Sequence, residues 1–139
     1  VTDENQDCEK ILQLFLNTIY ALDKLDKDRK LVTNAFKIKL FTILGFAPSQ
    51  DKCCECSRSL LEYNEDFVYY DYINNTFLCE ECKTKVESKN RIRITRATFN
   101  AIFYVIRSDL KKIFSFELKD YVDFELFGQV FVDATMSGL

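Results

Sequence analysis

Apolar residues recur at three- and four-residue intervals through most of the chain and lose that rhythm only between Asp51 and Cys82. The first periodic stretch predicts a helix from about Asp7 to Leu25. Cys8, Ile11, Leu12, Phe15, Ile19 and Leu22 would form its buried face. Asp7 is the expected N-cap, because a carboxylate there can accept a free first-turn N–H. The charged stretch Asp23–Lys30 reads as a connection. A second helix is expected over about Leu31–Leu44, burying Leu31, Ala35, Ile38, Leu40, Phe41 and Leu44. Gly45 sits where a left-handed residue ends a helix, and Pro48, the single proline, blocks resumption.

Beyond Asp51 the pattern changes. Phe67–Ile73 is aromatic and β-branched and predicts a strand. Asn74-Asn75 supplies a two-residue hairpin turn, and Thr76–Leu78 is the return strand that delivers Cys79. A short helix or turn is expected over Glu80–Glu87. Helical spacing returns with Thr95 as N-cap and Phe99, Ile102, Phe103 and Ile106 as one stripe. Ser108-Asp109 caps a short turn holding Leu110, Ile113 and Phe114. A last helix runs over about Lys119–Met136, with Phe124, Phe127, Phe131 and Ala134 on one side. The expected fold class is mainly α: one helical bundle-like domain over 1–139, with a cysteine-bearing ribbon or knuckle inserted at 51–84 around a short β-hairpin.

Two Cys-x-x-Cys pairs, Cys53/Cys56 and Cys79/Cys82, are separated by 22 residues. A two-residue spacing lets both thiolates of one tight turn reach a single ion at about 2.3 Å, and two facing turns complete a tetrahedron. The hairpin brings the second pair back to the first. These four residues are therefore the expected ligands of one structural zinc ion, whose binding would organise the insert. Disulfides are a competing reading, since six cysteines allow 15 pairings, but nothing marks the chain as secreted. A thioredoxin-like site would use one such pair, not two. An iron–sulfur cluster is open to the same ligands. Cys54 and Cys8 read as small buried hydrophobes.

Composition narrows the function. Histidine is absent, which removes imidazole acid–base chemistry and every mixed Cys/His zinc site. A shell of four thiolates leaves no position for water, so the chain is not expected to be an enzyme. No apolar run approaches the roughly 20 residues of a membrane span. The start, Val1-Thr2-Asp3-Glu4-Asn5, has neither signal-peptide nor transit-peptide character and no methionine, so the chain is expected to be a fragment or a processed piece. Net charge is −3, yet residues 83–112 hold nine Lys/Arg against two acids. Lys89, Arg91, Arg93 and Arg96 follow the second cysteine pair, and alternation at 89, 91 and 93 puts three charges on one side of an extended segment. Such a stripe suits phosphates or an acidic peptide tail, and equally an ordinary solvated surface.

The run Phe36–Pro48 leading into Cys53-x-x-Cys56, then Tyr69–Ile73 and Phe77-Leu78-Cys79-Glu80-Glu81-Cys82, resembles the C-terminal region of the RecO family of bacterial DNA-repair proteins. The resemblance extends over about residues 8–125 and is most specific from 36 to 82. It implies a recombination mediator that anneals complementary strands and works with RecR to load RecA onto DNA coated with single-strand-binding protein. It further implies partner contacts in this region, including the acidic tail of single-strand-binding protein, and a place in the bacterial cytoplasm at the nucleoid. The family's OB-fold, its main module for single- and double-stranded DNA, lies N-terminal to this region. No five-stranded β pattern is legible in 1–139, so that module is expected to be missing here. Ser57 stands where the family often has glycine, Asn74-Asn75 replaces a glycine turn, and the last helix lacks the family's basic ending. A zinc-stabilised protein–protein adaptor without direct DNA contact is the alternative.

Overall fold

A computed structural model describes residues 2–48, 50–86 and 89–138. Its elements are α1 (Thr2–Lys24), α2 (Arg29–Ile43), β1 (Phe67–Asp71), β2 (Thr76–Leu78), β3 (Arg91–Thr95), α3 (Arg96–Arg107) and α4 (Val122–Ser137). Helices α3 and α4 pack on a small antiparallel sheet of order β2-β1-β3, with α2 and then α1 beyond them, as a mainly helical chain with a cysteine-bearing β insert should look. None of the described helices is long and apolar enough to cross a membrane.

Helix α1 begins five residues before the expected position, so Asp7 lies inside it and caps nothing. Its buried side also differs. Leu14, Thr18 and Ala21 face inward, whereas Cys8, Leu12, Phe15 and Ile19 are exposed. The centre of α1 is apolar nearly all round, so periodicity alone could not choose the inward side. Polar contacts mark it: Asn17 Nδ2 donates to Leu110 O at 2.8 Å, and Thr18 can be buried because its Oγ1 donates within the helix to Leu14 O at 2.7 Å.

The N-cap that does operate here is Asp28, whose carboxylate accepts from Lys30 N at 2.8 Å and starts α2. The predicted stop of α2 is a complete Schellman motif. Gly45 (φ +90°) donates its N–H to Thr42 O, and Phe46 N donates to Phe41 O at 2.8 Å. The Phe41 and Phe46 rings, 6.1 Å apart, supply the apolar contact that accompanies this motif. Leu31, Ala35 and Ile38 are buried as expected, while Leu44 is exposed.

Strand β1 ends at Asp71, two residues short of the predicted Ile73. Asp71 Oδ1 accepts from Ile73 N at 3.0 Å and from Asn74 N at 3.1 Å. This side-chain turn withdraws both N–H groups from the ladder. The hairpin loop therefore spans 72–75, with Asn75 at φ +56°, in place of a two-residue Asn74-Asn75 turn. Residues 80–86 form turns; Glu87, the last residue of the predicted short helix or turn, lies outside the described residues. Strand β3 was not anticipated as a paired strand. It aligns antiparallel to β1, with Tyr69 opposite Arg93 and Asp71 opposite Arg91.

Thr95 caps α3 as predicted, accepting from Thr98 N at 3.3 Å. Helix α4 starts at Val122 in place of Lys119, because Asp120 Oδ1 accepts the Val122 N–H at 3.1 Å. The inner face of the sheet joins the helical core through rings. Phe77 lies 5.0 Å from Phe99 and 5.6 Å from Phe103, and Tyr70 lies 4.7 Å from Phe127. All of these side chains are almost fully buried. At roughly 1.5–3 kcal/mol per buried large apolar side chain, this cluster ties the β insert firmly to the helices.

Candidate metal centre and basic strand

The cysteines are placed by two tight turns at one end of the sheet. In the first, Cys53 N donates to Arg58 O at 3.0 Å and Ser57 N donates to Cys53 O at 2.9 Å. Ser57 adopts φ +63°, the left-handed conformation that glycine takes most easily. A parallel bridge between Cys53 and Phe77, with Cys54 N donating to Phe77 O at 2.9 Å, seats this turn beside β2. In the second turn, directly after β2, Cys82 N donates to Cys79 O at 3.2 Å.

The four Sγ atoms of Cys53, Cys56, Cys79 and Cys82 all lie within 4.8 Å of one another. Cys56 Sγ is 3.8 Å from Cys79 Sγ. A tetrahedral ion with metal–sulfur bonds of about 2.3 Å sets its sulfurs about 3.8 Å apart, so the donor set fits one metal ion. Cys53, Cys79 and Cys82 are buried and Cys56 is exposed. All six cysteines are free thiols, which counts against the disulfide reading.

The thiols do not titrate alike. Burial raises Cys53, but sulfur-directed hydrogen bonds, led by the backbone groups of Cys56, Cys79 and Glu55, outweigh it and draw the thiol down to about 7. Burial first, and then the neighbouring sulfurs, push Cys82 up to about 12. Burial likewise raises Cys79. Holding all four as thiolates at neutral pH would need a cation to offset their repulsion, a charge that a metal ion would supply. Cys54 and Cys8 are exposed rather than buried, contrary to expectation; Cys54 lies outside the ligand set.

The basic residues divide into two groups. Arg96 is a structural tie: its Nε donates to Glu65 O at 2.9 Å and its Nη1 to Leu60 O at 3.1 Å, beside the Tyr63 ring. Arg91 and Arg93 lie on the sheet face turned away from the core. The Arg93 guanidinium carbon is 4.3 Å from the centre of the Phe67 ring, and that of Arg91 is 5.7 Å from the centre of Tyr69. Lys83 approaches the same Tyr69 ring at 5.4 Å and also pairs with Glu80. Lys89 is exposed at the entry to β3.

The family model described as "Recombination protein O C terminal" matches residues 1–128. The chain belongs to the RecO family. A DNA repair protein RecO of Acetivibrio thermocellus is 32% identical over 123 residues, covering 88% of this chain and 47% of the relative. One of Caldicellulosiruptor saccharolyticus is 32% identical over 108 residues, 78% of this chain and 41% of the relative. One of Clostridium acetobutylicum is 20% identical over 124 residues, 89% of this chain and 47% of the relative. The chain thus spans about half the length of the curated relatives it matches. No solved structure matches it.

For this RecO-family chain, the resemblance drawn from residues 36–82 extends through nearly all the described structure. Phe67 and Tyr69 are the residues that sequence reasoning passed over. Their alternation matches that of Arg91 and Arg93, but only the β1–β3 register reveals that the two patterns share a face.

Proposed function

We propose that this chain is the zinc-bearing C-terminal half of a DNA repair and recombination mediator, with one structural Zn²⁺ held by Cys53, Cys56, Cys79 and Cys82. Zinc suits four thiolates in a tetrahedron and needs no redox partner. With the shell closed by sulfur, the ion's role is to hold the turns and the sheet together, and the chain carries no catalysis of its own. The family resemblance supplies the partners: RecR, the acidic tail of single-strand-binding protein, and single- and double-stranded DNA gripped mostly by the half of the relatives that this chain does not span. Assistance in loading RecA and in strand annealing, within the bacterial cytoplasm at the nucleoid, follows from the same resemblance.

The observation that carries a direct role for this half is the outward placement of Arg91 and Arg93 on β3, with Lys89 beside them. Arg96 donates from Nε and Nη1 to the carbonyls of Glu65, Leu60 and Leu61 and is left out of the proposed contact, whereas Arg91 donates from Nη1 to Val86 O at 3.2 Å and stays on the outward face. The test is titration of a labelled single-stranded oligonucleotide across a salt series. Arg91→Glu with Arg93→Glu should weaken binding and flatten the slope of log K against log salt by about 1.4, the change expected for two lost phosphate contacts. An unchanged slope defeats the assignment.

The second reading, a zinc-stabilised adaptor, is favoured by one specific feature. Leu12, Leu16, Ile19 and Tyr20 of α1 are each more than half exposed and form an apolar face turned away from α2. An adaptor would bind no DNA at any salt concentration.

A further inference from the structure

The outward face of the β1–β3 pair does more than collect positive charge. Its two guanidinium groups rest on two aromatic rings in a repeating diagonal: Arg93 on Phe67, and Arg91 on Tyr69. Each arginine sits opposite the strand position two residues beyond its ring, Arg93 facing Tyr69 and Arg91 facing Asp71. The opposite sheet face, with Val68, Tyr70 and Ile94, is fully committed to the core. Among the described residues Arg93 has no ion-pair partner, whereas Arg58 pairs with Glu81 and Arg107 with Asp51. Arg93 is exposed over the half-buried Phe67 ring, whereas Arg91 is half-buried, donates from Nη1 to Val86 O at 3.2 Å and shares the Tyr69 ring with Lys83.

We infer that this face is a stacking platform for unpaired DNA bases, with the Arg93–Phe67 and Arg91–Tyr69 pairs as two successive seats. The inference rests on the proposed DNA contact of the same strand and specifies its mode. Planar guanidinium groups and aromatic rings both stack on bases, and sheets that carry paired aromatics bind single strands in this way. The spacing selects the ligand. Phe67 and Tyr69 are two residues apart on one strand, so the seats repeat at about 6.5–7 Å. Adjacent bases in a duplex are about 3.4 Å apart. Only an extended, unpaired strand can lay neighbouring bases on both seats, while the charges of Arg91 and Arg93 draw its phosphates and Lys89 adds a cation at the border of the face.

The test uses the metal-loaded chain and two labelled oligomers of equal length, one of deoxythymidine and one of abasic deoxyribose phosphate. Both carry the same charge. The deoxythymidine strand should bind at least about thirtyfold tighter, the gain expected from two stacked bases. Arg91→Lys with Arg93→Lys keeps the charge and removes the planar groups. It should leave abasic binding intact and erase the preference. Phe67→Leu, which keeps both guanidinium groups, should reduce the preference at one seat. Equal affinity of the unaltered protein for both oligomers, or a preference that survives the double lysine variant, overturns the stacking mode and spares the phosphate contact. Failure of both oligomers to bind overturns the DNA contact itself and the platform with it.

Discussion

The Arg96 guanidinium donates to the Leu60 carbonyl at 3.1 Å, so the first residue of α3 holds the loop that leaves the first cysteine turn. A second bond from Nε to Glu65 O, and Arg96 N to Asp66 O at 2.9 Å, fix the same loop from two more points. Charged hydrogen bonds of this kind contribute about 1.5–3 kcal/mol. Arg96→Ala should therefore lower unfolding free energy by that amount in a urea titration. Arg96→Lys should recover little, because an ammonium cannot reproduce the fork. The DNA affinity of the folded fraction should not move. A selective loss of affinity without loss of stability would return Arg96 to the binding surface.

Helices α2 and α4 meet at a glycine. A Cβ on Gly128 would come 2.6 Å from Asn34 Oδ1 and 3.3 Å from Asn34 Cγ. Asn34 is buried and its amide donates to Lys30 O at 3.0 Å, so making room for the methyl would disturb that bond. Gly128→Ala gains about 1 kcal/mol of helix propensity but overpacks the contact at a cost of about 1–3 kcal/mol. The expected outcome is a net loss of stability of about 1 kcal/mol by thermal or urea unfolding, although most exposed helical glycines gain from this change.

Lys39 closes the other end of α3. Lys39 is a buried residue whose ammonium donates to Ile106 O at 3.0 Å and to Ser108 O at 2.6 Å. Lys39→Met leaves these carbonyls without their donor and should cost about 1–2 kcal/mol at neutral pH. Burial lowers the Lys39 pKa below its usual value, with Asp109 opposing in part. In the alkaline window between the folded and unfolded values, the unfolded chain binds more protons at this site. Stability contributed through it therefore rises with pH there. Unfolding free energies of the unaltered protein and Lys39→Met, compared at neutral and alkaline pH, should diverge in favour of the lysine as pH rises through that window.

Much of this was legible in the chain because it depends on local chemistry. The Gly45 stop, the Thr95 cap and the Cys-x-x-Cys spacing each encode their geometry within a few residues, and all three take the expected form. The errors came where a partner distant in sequence decides the outcome. The centre of α1 is apolar on both sides, and it is the bond from Asn17 to Leu110 O, far along the chain, that marks the inward one. Arg96 stands in the same basic run as Arg91 and Arg93, and its carbonyl acceptors lie 31 and 36 residues away in the 60–65 loop, where local sequence carries no sign of them. Strand β3 needs β1 to exist as a strand, and the shared face of Phe67, Tyr69, Arg91 and Arg93 needs their register. Asp71 shortened its strand through a side-chain turn that strand propensity does not weigh.

The proposed zinc would draw together two turns that arrive from opposite sides of the hairpin. Native mass spectrometry of the chain, prepared without chelators, measures this directly. One zinc per chain should be found, retained in Cys54→Ser and lost in Cys79→Ser, with the loss accompanied by exposure of the β1–β2–β3 sheet to hydrogen exchange. A metal-free chain whose sheet remains protected, or a Cys79→Ser variant that keeps its zinc, would contradict the assignment of these four thiols as a metal centre.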